Sequence, residues 1–295
     1  MRKLFAVLMI MAVLMSVPVS GFAGNEINHN AFGSYGVGSY VYFGSYEQDG
    51  NLDNGPEPIR WQVVEKFSHC IKLVSTEVLD ARTFNNSLQN TTWETSDIRA
   101  WLNGDFYEKS FENWEKDLLE VAFVPNKAYG YGTTEKSTYD HVTLLDYNEV
   151  ITYFGSRDGY ARQARPTQYA KMCGAYVHNA YGTSWWWMRT QGETLKYAVY
   201  VGALGNIDKD GNPVNWQQGG VRPCIHVSTT KTIPHRDEIA TPAPYYGYDG
   251  DIIDPSTGRG VVTNPETIFC PECGKKISAE SKYCMYCGKQ VVWAH

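Results

Sequence analysis

The run Trp185-Trp186-Trp187-Met188-Arg189-Thr190 constrains the fold of this chain more than any other stretch. Aromatic residues favour strands, and a strand sends successive side chains to opposite faces. Trp185, Trp187 and Arg189 therefore share one face, and Trp186 and Met188 the other. Three large indoles in a row can fill a core on one face and still leave aromatic surface on the other. Tyr197-Ala-Val-Tyr-Val201 and Gly220-Val221-Arg222-Pro223 follow, set apart by Gly, Asp and Asn clusters. The three runs read as antiparallel strands, with Asp210-Gly211 supplying the positive φ angles of a tight hairpin. Two readings of the indoles follow. Either they are all core, or Trp185, Trp187, Arg189, Tyr200 and Trp216 form one ligand-binding face. Aromatic faces stack on sugar rings or apolar side chains, and an adjacent Arg binds carboxylates bidentately.

Upstream stretches add to this pattern. They are Val41-Tyr42-Phe43-Gly44-Ser45-Tyr46, Ile59-Arg60-Trp61, Leu79-Asp80-Ala81-Arg82, and Thr92-Trp93-Glu94-Thr95-Ser96 with Arg99, Trp101 and Leu102. With Trp-Trp-x-x-Arg, Ala-x-Tyr-Val and Gly-Val-Arg-Pro, they span about residues 38–227. The string resembles a secreted bacterial family described only as a domain of unknown function. That family is similar in turn to C-type-lectin-like domains, including the formylglycine-generating-enzyme-like branch. The resemblance implies an α+β fold of C-type-lectin-like architecture over 38–228, with antiparallel sheets and short helices. It implies no activity, because fold does not fix function. The formylglycine-generating branch uses closely spaced cysteines to bind copper. This chain has no such pair in that region, which counts against oxidase chemistry.

Local patterns fill in the elements. Tyr40 to Phe43 reads as a first strand, and Ile59, Trp61 and Val63 alternate with polar residues in a second. Cys70 to Val74 should close a hairpin with it, leaving His69 exposed at the turn. Thr95 or Ser96 caps a helix carrying Ile98, Trp101, Leu102 and Phe106, and Ser110 starts another. Residues 121–124 and 142–145 are strand candidates. Asp146 with Glu149 forms a capping box, and Thr167 caps a short helix.

The ends of the chain carry different signals. Arg2-Lys3, the apolar run Leu4 to Met15 and the small-residue exit at Ala23 read as a cleaved secretory signal over residues 1–23. The run is short of the roughly 20 residues of a stable span, so no membrane anchor is expected after cleavage. Residues 229–267, punctuated by five prolines, read as an extended linker. Cys270-Pro-Glu-Cys273-Gly and Cys284-Met-Tyr-Cys287-Gly are two knuckles ten residues apart, and residues 268–295 resemble a small zinc ribbon. Four thiolates suit structural tetrahedral Zn²⁺. An oxidising compartment would instead favour two disulfides. Paired knuckles followed by Gly favour the metal. Seven cysteines are an odd number, so at least one stands outside any intramolecular disulfide.

A net charge of −6, with no long Lys/Arg run, argues against a nucleic-acid partner. There is no Gly-x-Ser-x-Gly, His-Glu-x-x-His or phosphate-cradling loop. Cys173 with His178, and Cys224 with His226, are the nucleophile–base pairs near in sequence, and buried unreactive cysteines explain them as well. Asp208, Asp210 and Asn212 suit turn chemistry better than calcium. Asp80, Arg82, Glu94 and Arg99 form a candidate charged cluster, structural or, in a rival reading, catalytic. The expectation is a secreted, non-catalytic recognition module for a glycan or protein, carrying a structural zinc ribbon. An extracytoplasmic enzyme using the charged cluster is the alternative, as is a scaffold that interacts through the ribbon.

Overall fold

The computed structural model describes residues 31–127, 135–155 and 159–231, together with five short strands between 245 and 278. Residues 1–23, the expected signal, and the four ribbon cysteines lie outside the described residues. The main body is mixed α+β, with two five-stranded sheets and short helices.

Along the chain come β1 (Tyr40–Tyr46), β2 (Glu57–Lys66), β3 (Cys70–Ser75) and β4 (Asp80–Ala81). Next is a helical segment, α1 (Asp97–Trp101), that runs through a π turn at Leu102–Phe106 into α2 (Tyr107–Ser110). Ser96 caps α1 by accepting from the Arg99 N–H. α3 (Asn113–Leu118) starts at a Glu112/Glu115 capping box rather than at Ser110. A separate hairpin, β5 (Ala122–Val124) with β6 (Thr138–Asp140), precedes β7 (Val142–Thr143), α4 (Tyr147–Phe154) and α5 (Gln168–Met172). β8 (Trp186–Gln191), β9 (Tyr197–Val201), β10 (Ile207–Pro213), β11 (Gly220–Val221) and β12 (Cys224–Ser228) complete the body.

One sheet has the order β1-β2-β3-β12-β7 and is antiparallel throughout. The other has the order β10-β9-β8-β11-β4, and here the Gly220 run pairs parallel to β8 at Trp186 rather than antiparallel as the sequence suggested. Each sheet has apolar packing on both faces. Trp185 and Trp187 join Trp61, Leu73, Trp93 and Phe106 in one core cluster, whereas Trp186 and Met188 join Val74, Val150 and Cys224 in a second. β3 is buried at every position for the same reason.

One further local expectation is revised, and one stretch gains detail. The β9–β10 turn lies at 202–206, where Gly202 N–H donates to Asn206 O and Gly205 N–H to Gly202 O, both at 2.7 Å. Asp210-Gly211 sits instead inside β10, where the register with β9 slips between Asp208 and Asn212. Gly211 keeps its positive φ of 84°, and a Cβ there would meet Ala198 O at 2.5 Å. The glycine thus serves a bulge rather than a hairpin tip. The stretch expected as a plain linker contains three short antiparallel strands, β13 (Tyr245–Tyr246), β14 (Ile252–Asp254) and β15 (Arg259–Val261). Its Ile and Val residues give those segments strand propensity. β16 (Thr267–Phe269) pairs with β17 (Lys276–Ser278), so the first cysteine knuckle falls in the sequence between two hairpin strands. Among the described residues no helix is long and apolar enough to cross a membrane.

Candidate functional site

The proposed aromatic face does not exist as a surface. Trp185, Trp187 and Arg189 are buried, Tyr200 is half-buried, and Trp216 alone of the five is exposed, at 50%. The alternation itself is sound. A second layer covers the Trp185/Trp187 face, with Trp187 packing on Phe84 and Trp185 on both Trp187 and Tyr200. Tyr200 donates to Asp208 at 3.0 Å. Arg189 leaves the tryptophan face because the register with β9 slips between Trp187 and Gln191. It turns towards α4 instead.

There Arg189 enters a buried ionic network. Its guanidinium donates to Asp146 at 2.8 Å, to Glu149 and to the Leu144 carbonyl at 2.7 Å, while Lys72 pairs with the other oxygen of Glu149. Asp146 and Glu149 still cap α4, each accepting or returning the bonds of the expected capping box. Burial alone would raise the Glu149 carboxyl, but the charges and hydrogen bonds of Arg189 and Lys72 outweigh it and hold it at about 2. The neighbouring Cys224 thiol is pushed up to about 12, chiefly by burial, and His226 falls to about 3 for the same reason. Neither group suits nucleophilic or base chemistry at neutral pH.

The expected Asp80/Arg82/Glu94/Arg99 cluster is split in two. Arg99 pairs with buried Asp140 at 2.6 Å, and Asp140 also accepts from Trp93 Nε1 and Thr138 Oγ1, both at 2.8 Å. The Glu94 carboxylate goes to Lys136, and Arg99 meets the Glu94 backbone carbonyl alone. Asp80 and Arg82 stay together at 3.3 Å.

Around that pair the chain assembles a second convergent group of polar side chains. The end of β1, β4, the last residue of α1, and Tyr169 of α5 with its C-cap Cys173 meet here. Asp80 is buried, at 2% exposure. Its Oδ2 accepts from the Tyr46 hydroxyl at 2.6 Å, and its Oδ1 from the Ala81 N–H at 2.6 Å. Arg82 lies over the Trp101 ring, 4.0 Å from its centroid. Tyr46 packs edge-on against Trp101 and Tyr169, and the Cys173 thiol interacts with both Tyr169 and Asp80. Burial, reinforced by the Asp80 charge and its hydrogen bond, pushes the Tyr46 hydroxyl far above its ordinary value. Burial likewise raises Tyr169 and Cys173.

A short loop walls one side of this corner. Trp187 Nε1 donates to the Arg82 carbonyl at 2.9 Å, and the Arg82 N–H donates to Gly219 O at 2.8 Å. A Cβ at Gly219 would lie 1.8 Å from Trp187 Nε1, so the loop can approach only with glycine. Gln218 beside it is exposed and holds φ at +71°, a strained value for a side-chain-bearing residue.

Of the corner residues, Asp80 and Arg82 were among the sequence candidates. Tyr46 and Trp101 stood in the motif stretches without an assigned role, and Cys173 was paired with His178. That imidazole instead accepts from the Ala180 N–H at 3.3 Å and lies against Tyr181. Nothing in the local sequence marks Tyr169. Asp208 accepts from Gly211 N–H at 3.1 Å, so it braces the bulge inside β10 rather than a hairpin tip. Cys70, Cys173 and Cys224 are free thiols. An open cleft of about 380 Å³, lined by Tyr42, Gln48, Arg60, Glu77 and Arg165 among others, is a separate feature. Burial raises the Glu77 carboxyl against the opposing charges of Arg60, Lys171 and Arg165.

The class of molecule is thus an α+β domain followed by a terminal ribbon. Residues 269–291, which hold all four knuckle cysteines, match the zinc-ribbon domain. Residues 70–229 match the family described as Domain of unknown function (DUF6273), and the chain belongs to that family. No curated protein and no solved structure matches the chain.

Proposed function

We propose that this protein is a secreted, non-catalytic recognition module of C-type-lectin-like kind, with a ribbon that holds structural zinc. Its ligand, a glycan or a protein outside the cell, engages the corner around Arg82 and Trp101 rather than the late strands. The observation that carries this reading is the geometry of the corner, where partly exposed Arg82 lies over the Trp101 ring and against buried Asp80. Catalysis at neutral pH asks for an acid or base poised near 7, or for an activated nucleophile. Here Tyr46, Tyr169 and Cys173 are all pushed upwards, away from that range. What the corner offers instead is an oriented cation beside aromatic rings, an arrangement suited to binding.

The test is a glycan and cell-wall binding screen with the purified chain, in parallel with Arg82→Ala. Binding that depends on Arg82, with recovered ligand unaltered, is expected. Turnover of a ligand at this corner, or binding indifferent to Arg82, would defeat the reading.

The zinc part stands on the donor set. Four cysteines in two Cys-x-x-Cys knuckles fit a tetrahedral thiolate site, and binding of this kind supplies the folding energy that so short a segment lacks. About one zinc per chain by elemental analysis is expected, with Cys273→Ser losing the metal. Two disulfides among these cysteines, found by mass spectrometry of metal-free protein, would refute it. Export is tested by N-terminal sequencing, with a mature start near Gly24 expected.

A further inference from the structure

We propose that Arg82 is a pre-oriented fork for a carboxylate, so that the ligand recognised at this corner is an acidic one. The inference rests on the recognition reading and names the ligand chemistry of that same site. The argument begins with how the guanidinium is held. Arg82 Nε faces the Asp80 carboxylate at 3.3 Å, and its Cζ lies over the Trp101 ring, 4.0 Å from the centroid. Asp80 is itself fixed by Tyr46 and by the Ala81 N–H, and it is almost fully buried. The carboxylate and the ring hold the guanidinium from two sides.

Holding an arginine through Nε leaves its two terminal nitrogens as a parallel pair of donors. Among the described residues, neither terminal nitrogen of Arg82 has a hydrogen-bond or ion-pair partner, and the side chain is 41% exposed. The other carboxylate-bound arginines differ. Arg99 spends its terminal nitrogens on Asp140 and the Glu94 carbonyl, and Arg189 spends its own on Glu149, Asp146 and the Leu144 carbonyl. The end-on fork of Arg82 matches the two oxygens of a carboxylate in spacing and in plane. Because the side chain is already ordered, a ligand does not have to meet the rotamer entropy of fixing it. A lysine could keep the charge but not the fork.

The protein carries a net charge of −6, so long-range steering does not gather anions to this surface. Recognition must come from contact at the fork. This predicts a preference for carboxylate over the same molecule without its charge, rather than a general affinity for polyanions.

The experiment titrates the full mature chain with oligogalacturonate and with its methyl ester, which keeps the sugar rings and removes the carboxylates. Calorimetry and the side-chain Nε–H resonances of arginine are the readouts. The acid form should bind at least tenfold more tightly than the ester, and should move one Nε–H signal that is missing in Arg82→Lys. Arg82→Lys should lose that preference while keeping the wild-type melting temperature, and Trp216→Ala should retain it. Equal binding of acid and ester overturns the carboxylate assignment and leaves recognition standing. So does undiminished preference in Arg82→Lys, and so does the absence of any acid-form binding at millimolar concentration. Cleavage or other alteration of the oligosaccharide would instead strike the recognition reading itself.

Discussion

Arg189 and Arg82 are both held by carboxylates, and they illustrate opposite uses of one interaction. Arg189 lies inside, with Lys72, Asp146 and Glu149 around it and both terminal nitrogens engaged. Arg82 lies at a surface, gripped through Nε and over an indole, with its terminal nitrogens unspent. The buried network fixes the relation of α4 to β3 and β8 and leaves no terminal nitrogen of Arg189 to offer a ligand. An unsaturated one is a poor stabiliser but a ready donor. Engagement of the two terminal nitrogens, more than the presence of charge, separates the framework from the candidate site.

The largest expected effect lies in the buried network. Glu149→Gln leaves two cations without their shared partner, and breaking such a pair typically costs about 3–5 kcal/mol. Urea unfolding should show a loss of that order, and a loss below about 1 kcal/mol would erase the contrast with Arg82.

The tryptophans offer a second contrast of similar size. Trp187→Ala should cost about 3–5 kcal/mol, because it empties a site in the core. Trp216→Ala, at an exposed position, should change stability by no more than about 0.5 kcal/mol. Comparable melting temperatures for the two variants would show that the burial pattern is wrong.

Acid sharpens the comparison further. Glu149 is depressed to about 2 in the folded protein, below its value in an unfolded chain. Its contribution is therefore complete above the unfolded value of about 4.5 and is lost as pH falls towards about 2. His226, depressed to about 3, acts in the same direction from about 6.5 downwards. Stability measured from pH 7 to 2 should fall in the wild type, and the fall below pH 4.5 should be shallower in Glu149→Gln. Superimposable acid limbs would remove Glu149 as its cause.

The smallest expected effect is also the most discriminating. Arg82→Lys should alter stability by about 0.5 kcal/mol or less, since the pair with Asp80 is partly exposed. A large destabilisation would mean that Arg82 belongs with Arg189 as framework.

What could be read from the sequence follows the range of each interaction. Ser96, Thr167 and the Asp146/Glu149 box act within one helical turn, and the caps formed where the spacing placed them. The β2–β3 hairpin, with its exposed His69 turn, is equally local. Alternation separated Trp185 and Trp187 from Trp186, but it carries no information about what covers a face. That depended on Phe84 and Tyr200 on one side and on α4 on the other. The charged cluster failed for a related reason. Glu94 and Arg99 lie close to Asp80 and Arg82 in sequence, yet their partners Lys136 and Asp140 are some forty residues further on. Tyr169 and Cys173 reach Asp80 only because α5 packs against β4, a long-range contact that no periodicity announces.

One feature of the first sheet bears on how this family should be divided into pieces. The family match begins at Cys70, which is the first residue of β3, while β2 runs the length of β3 from Trp61–Ser75 to Lys66–Ile71. A fragment cut at residue 70 would lose Trp61, a fully buried indole that donates to Phe43 O at 2.7 Å. It would also bare a full row of amide and carbonyl groups along an apolar strand, a template for pairing with other chains. Such a fragment should self-associate by strand addition, so the smallest piece that behaves as a monomer has to begin before Tyr40.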